Sequence, residues 1–349
     1  MTARFNVGER PIGAGCAPLL VAEISGNHNG SLERALALID AAEAAGADAV
    51  KFQTYTADSI TLDHEGEAFV MGEGLWRGRR LYDLYAEAST PYAWHGALFE
   101  RARLKGLIPF SSPFDAEAVA LLEELDCPAF KIASFELVDL PLIRRAAASG
   151  RPLIMSTGMA GLGEIEEALA AARSAGAREI ALLHCVSSYP APAADSNLLS
   201  LTTLAAAFGV PVGLSDHTEG SAVAVAAVAL GACLIEKHFT LDRRDGGPDA
   251  AFSLEPLEFK RLTDDCRTAY AALGRPERAL RASEAVNQGL RRSLYFVEAV
   301  KAGDVIEARH VRSIRPGGGL APKHLDEVLG RRARLDRPRG APVSWSVIE

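Results

Sequence analysis

Short runs of apolar, β-favouring residues alternate with longer stretches rich in Ala, Leu and Glu through the first three-quarters of the chain. That alternation marks strand–helix units on a parallel sheet, because a parallel neighbour is reached only through a crossover of a dozen or more residues. The pattern predicts strands at 19–24, 49–54, 107–112, 129–134, 152–157, 179–187, 210–216 and 234–240, eight in all. Eight such units predict a (β/α)8 TIM barrel. Between the strands, Leu162, Ile165 and Leu169 fall on one helix face, and Ser31 followed by Glu33 reads as an N-cap with an acidic first turn. The phrases AAGADAV, SAGAREI and ALGACLI each end a helix at glycine and enter a strand, so they are local punctuation rather than a duplication.

Two regions break the pattern. Residues 55–91, after the second strand, form a connection longer than a compact barrel needs. Leu75, Trp76, Leu81, Tyr82, Leu84 and Tyr85 give it side chains to bury, so it reads as an ordered cover on the active-site end. Beyond the barrel, placed at 1–275, a polar, arginine-rich linker spans 276–293. Residues 294–349 then read as short strands, tight turns and one short helix, a small β domain marginal for independent stability. It is expected to rest on a barrel, its own or a partner's.

Composition narrows the class. The chain has 349 residues, above the roughly 250 of a bare barrel, which leaves room for that extra domain. A net charge of −8, with no basic run interleaved with aromatics, argues against nucleic acid and anionic membrane as partners. No signal peptide or membrane-spanning run is read. Cys16, Cys127, Cys185, Cys233 and Cys266 form no C-x-x-C pair, which points to a reducing, cytoplasmic setting.

Candidate chemistry sits at the strand ends, where a TIM barrel gathers its active site. The first strand offers Glu23, the second Lys51 and Gln53, the third Ser112, and the fourth Lys131, ending in Ser134 and Glu136. The fifth ends at Ser156, the sixth runs from His184 to Ser187 and Tyr189, the seventh reaches Ser215 and His217, and the eighth Glu236 and His238. His217 and His238 end consecutive strands, so two imidazoles become neighbours and form a half-site for a divalent metal such as Mn, Mg, Co or Zn. Lys51 and Lys131, with the hydroxyls of Ser112, Ser134, Ser156 and Ser215, suggest a pocket for a phosphorylated carboxylate. Glu23 and Glu136 are candidate acid/base groups. His28, in the loop after the first strand, is positioned to touch substrate, whereas His184 reads as a buried hydrogen-bonding residue.

These strand ends, in this order, resemble the sialic acid synthase family, the phosphoenolpyruvate-dependent nonulosonic acid synthases. The phrases that carry the likeness are VAEISGNHNGS, AVKFQT, FSSPFD, KIASFE, MSTGMA, LLHCVSSYPAP, VGLSDHTEGS, EKHFTLDR and GGPDAAFSL. The tail SLYFVEAVKAGDVIEARHVRSIRPGGGL is similar to the antifreeze-like (SAF) domain that closes these enzymes. The resemblance implies condensation of phosphoenolpyruvate with an N-acylated amino sugar, on a divalent metal (manganese first, magnesium or cobalt otherwise) held by His217 and His238. Lys131, Ser112, Ser134, Ser156 and Ser215 would hold the phosphate, and Lys51 the carboxylate. Ser187 stands in the same phosphoenolpyruvate site where some members have Asn; its shorter hydroxyl would reach the ligand through a water or not at all. Gln53, Tyr189 and Asp249 would address the sugar, and Arg315 would reach its acyl group from the partner of a domain-swapped homodimer. GLWRGRRLYDLYAEASTPYAW, KIASFELVDLPLI and DRRDGGPDAAFSLEP resemble most the branch that uses 2,4-diacetamido-2,4,6-trideoxy-L-altrose. N-acetylmannosamine and a legionaminic-acid precursor are the alternative sugars. A non-catalytic sugar- or ice-binding protein is the rival class, and the intact lysines and histidines count against it.

Overall fold

In the computed structural model, which describes residues 4–349, the chain divides into two compact units after Gly274. The first is the expected barrel. Its eight strands are β3 (Leu19–Glu23), β4 (Ala49–Thr54), β5 (Ile108–Pro113), β6 (Phe130–Ile132), β7 (Leu153–Ser156), β8 (Ile180–Cys185), β9 (Val212–Asp216) and β10 (Leu234–His238). They close as a parallel ring in chain order, with β10 pairing β3, Leu234 opposite Leu19 and His238 opposite Glu23. Nearly every residue of these strands is buried, because side chains fill the inside while helices cover the outside. Phe52, for instance, faces Phe99 of α4 (His95–Leu104), their ring centroids 5.9 Å apart.

The helices form where the sequence gives them caps. Ser31 caps α1 (Leu32–Ala44), its side chain accepting from the Arg34 N–H. In the helix Leu162–Ser174, Ile165 and Leu169 are buried as expected, but Leu162, the first residue of its first turn, is exposed.

Three features differ from expectation. A hairpin of β1 (Arg4–Val7) and β2 (Arg10–Gly13) precedes the barrel, and its buried Phe5, Val7 and Ile12 join the main core. It lies at the N-terminal mouth, where Gly8 sits against Ile108, the first residue of β5. The long connection is not one loop: it contains α2 (Ala57–Ile60) and α3 (Leu81–Ala88). Leu84 and Ala88 anchor α3, and Tyr85 meets Tyr55 edge-on at 6.0 Å, while Leu75 stays exposed. Finally, β6 stops at Ile132, so Ser134 and Glu136 ride on a 3-10 turn rather than on a strand.

The second unit begins with a short helix, Ala282–Ala285, and builds on an antiparallel pair, β11 (Ser293–Phe296) and β12 (Val311–Ile314). Leu294, Phe296, Val311, Val328 and Val343 are among its own buried core. Isolated bridges, Val300 with Arg337 and Ala333 with Ile348, close the rest of the unit. No helix among the described residues is long and apolar enough to cross a membrane.

Candidate active site

Strand parity brings the charged residues together. Glu23 and Lys51 are register partners on β3 and β4, and the Lys51 ammonium lies 2.8 Å from Glu23 Oε2. It also donates to Ser112 Oγ at 3.3 Å and approaches Glu236 Oε1 at 3.6 Å. Glu236 accepts from Lys131 Nζ and from Ser215 Oγ, each at 3.3 Å. Gln53 donates to Glu23 Oε1 at 2.8 Å. All four charged groups are buried, so each is tolerated only because the others compensate it. Burial pulls the Lys51 pKa down, but Glu23 and Glu236 on either side reverse that and raise it. Burial wins at Lys131, which has Glu236 for it and the Lys51 charge against it, and its pKa is lowered. Glu236 holds both lysines, a role that sequence reasoning did not assign. It shares the parity of His238, two residues on, and that was the available signal.

The two histidines meet as expected. Their ring centroids are 5.4 Å apart. His217 Nδ1 lies 2.9 Å from the Val186 carbonyl, and His238 Nδ1 lies 3.2 Å from Ser25 Oγ. With Nδ1 engaged on each ring, Nε2 is the nitrogen left to bind a cation, which is how metal-bound imidazoles are usually oriented. Burial first, then the charges of His217 and the lysines, hold the His238 pKa well below its ordinary value, so the ring is neutral and able to ligate. Burial alone would depress His217 too, but the Cys185 sulfur, 3.8 Å from Nδ1, and the Val186 carbonyl raise it. No cluster of three or more His, Cys, Asp or Glu side chains converges on one point among the described residues. The donor set fits a divalent ion held by two imidazoles and completed by water and substrate oxygens.

Around this pair lie the hydroxyls. Ser156 ends β7 with its Oγ buried and unpartnered, and Glu136 Oε2 is also buried without a partner. Ser134 Oγ accepts from the Gly158 N–H at 3.1 Å. A Cβ on Gly158 would fall 2.2 Å from Ser187 Oγ and 2.8 Å from Ser134 Oγ, so only glycine lets these two serines approach the same backbone. Two ammoniums, several hydroxyls and unpartnered buried oxygens describe a pocket built for a polar, multiply charged ligand.

The loops supply an aromatic side. Tyr189 lies over His217 at 4.5 Å and against Phe252 at 5.0 Å, and Phe252 meets His238 at 4.9 Å. Asp249 accepts from the Gly26 N–H at 3.3 Å, and burial raises its pKa. Trp76, from the long connection, donates its indole N–H to the Pro248 carbonyl at 2.8 Å. His28 is buried edge-on to Trp94, its Nδ1 accepts from the Gly30 N–H and so braces the loop, and its Nε2 is buried without a partner. His184 is hydrogen-bonded as expected, Nε2 lying 2.6 Å from the Ser196 carbonyl. Arg315 follows β12 in the second unit and is not among the residues the barrel gathers. Phe252, Ser25 and Cys185 were not singled out from sequence. Only the neighbourhood of Asp249, Glu23 and His184 hinted at them.

Comparison with known proteins gives two family matches, the NeuB family over residues 38–278 and the SAF domain over residues 291–349. The chain is 41% identical to the pseudaminic acid synthase of Helicobacter pylori, covering 95% of this chain and 98% of that protein. It is 44% identical to the pseudaminic acid synthase of Campylobacter jejuni, over 91% of this chain and 92% of that protein. Among solved structures, the N-acetylneuraminic acid (sialic acid) synthetase of Leptospira borgpetersenii, in complex with citrate, superposes with a TM-score of 0.73 at 33% identity. That match covers 82% of this chain and 95% of that one.

Proposed function

Starting from a chain that belongs to the NeuB family and carries a SAF domain, we propose that the protein is a pseudaminic acid synthase. It condenses phosphoenolpyruvate with 2,4-diacetamido-2,4,6-trideoxy-L-altrose and releases pseudaminic acid and phosphate. The observation that carries this reading is the pair His217 and His238, 5.4 Å apart, beside two buried lysines that share one carboxylate. A cation site and a strong anion site side by side suit the joining of an enol phosphate to an aldehyde. The likeness to pseudaminic acid synthases along nearly the whole chain supports this choice of sugar.

His217 and His238 would hold a divalent ion, manganese in our reading, and that ion would supply Lewis-acid polarisation of the aldehyde oxygen. Lys51 holds the carboxylate end of phosphoenolpyruvate, Lys131 with Ser112, Ser134, Ser156 and Ser215 holds its phosphate, and Ser187, with its shorter hydroxyl, reaches the ligand through a water. C3 then attacks the aldehyde carbon, water adds at C2, and the C2–O bond breaks as phosphate departs. The lysines stabilise charge already on the enol phosphate, and holding both reactants supplies much of the rate. Glu136 and Glu23 are the groups that move protons to and from water and the new hydroxyl. Gln53, Tyr189 and Asp249 position the sugar. Arg315 contributes from the partner subunit of a domain-swapped homodimer, and the enzyme works in the cytoplasm.

The test is turnover. With manganese and phosphoenolpyruvate, phosphate release should be fastest with the diacetamido-trideoxy-altrose, and mass spectrometry should find pseudaminic acid. Preference for N-acetylmannosamine or a legionaminic-acid precursor would overturn the choice of sugar. No phosphate release with any of them would overturn the reaction.

A further inference from the structure

The connection between β4 and α4 is more highly built than a simple cover requires. Val70 and Arg80 form an antiparallel bridge across its middle. Inside that bridge the Met71 N–H donates to the Arg79 carbonyl at 2.9 Å, and the Gly78 N–H donates back to the Met71 carbonyl at 2.7 Å. The turn so braced presents two large apolar residues. Leu75 is exposed, but Trp76 turns inward, half-buried. An indole has a single donor, and here it reaches the Pro248 carbonyl, 172 residues away, next to Asp249. The ring lies 5.6 Å from Tyr189 and 6.2 Å from Phe252. Those two rings are the ones that lie against His217 and His238. Trp76 therefore extends this aromatic surface one ring beyond the histidine pair.

We propose that Trp76 determines specificity: with Tyr189 and Phe252 it forms the wall that receives the deoxygenated C6 methyl end of the sugar, and its bond to Pro248 fixes that wall in place. The proposal rests on the functional reading above. A methyl group against aromatic faces loses water at no cost, whereas a hydroxyl placed there loses its water without a partner of equal strength. A wall of this kind discriminates only modestly, by roughly ten- to a hundredfold for one added hydroxyl.

The experiment compares kcat/KM for the 6-deoxy sugar and its 6-hydroxy counterpart in the wild type, W76F and W76A. The wild type should favour the 6-deoxy sugar by about tenfold or more. W76A should bring that ratio close to one and raise KM for the sugar, leaving KM for phosphoenolpyruvate within about twofold. W76F keeps an apolar ring but loses the N–H, so it should retain the preference while kcat/KM falls for both sugars; it also serves if W76A does not fold. An unchanged ratio in a folded W76A, a parallel rise in both KM values, or loss of the ratio in W76F would overturn the assignment of Trp76. A wild type that makes no product from the diacetamido sugar would overturn the functional reading, and this inference with it.

Discussion

Glu136 is the side chain whose surroundings most directly set its chemistry. It sits on the 3-10 turn after β6, and burial pushes its carboxyl up to about 7, against weaker pulls from a backbone N–H and the Lys131 charge. A carboxyl there exchanges a proton at neutral pH, as an acid/base group in this site must. The same shift ties folding to pH. An unfolded glutamate titrates near 4.5, so between that value and about 7 the folded chain holds a proton that the unfolded chain has released. The associated stability is fully present below 4.5 and is lost as pH rises to about 7. E136Q cannot titrate: its Tm should fall less than the wild type's between roughly pH 5 and 8. Its pH–rate profile should also lack the limb near 7. A limb that persists in E136Q assigns the proton transfer to another group.

Among the elements, the β1–β2 hairpin and the strand ends divide the barrel's labour. The hairpin plugs the N-terminal mouth, opposite the chemistry, the end that serves stability in this fold. Ile12 is fully buried there, so I12A should cost about 2–5 kcal/mol in urea unfolding, with kcat/KM for both substrates unchanged. A fall in kcat without loss of stability would mean that the hairpin reaches the active site. The hairpin was not legible in the sequence because two four-residue strands, joined by a turn at Gly8 and Glu9, are too short for the alternation of Arg4–Val7 to register. The strand ends were legible for the opposite reason: a polar residue closing a buried apolar run has few explanations in a barrel, and parity puts alternate ones inside. Glu23, Lys51, Lys131, Ser215, His217 and His238 were all placed that way. Leu75 and Leu162 were not, since periodicity reports which residues share a face but not whether another surface covers it.

At the scale of the whole molecule, the two compact units pose a question of assembly. If Arg315 acts from the partner's second unit, a protomer lacking Arg315 and a protomer lacking His217 each hold half of a working site. R315A and H217A should each be nearly inactive, yet refolding them together should restore about a quarter of wild-type turnover, from mixed dimers with one complete site. Failure to complement, with mixed dimers demonstrated by mass, places Arg315 in its own subunit's site and removes the swap. The positions of the three tryptophans have a spectroscopic consequence. Trp76 stands against Tyr189 in the long connection, Trp94 against His28 in the barrel wall, and Trp345 beneath Arg331 in the second unit. Each emits from a different part of the molecule and beside a different neighbour. Leaving one indole at a time would give separate fluorescence records of the long connection, the barrel and the C-terminal unit as each unfolds, without attaching any dye.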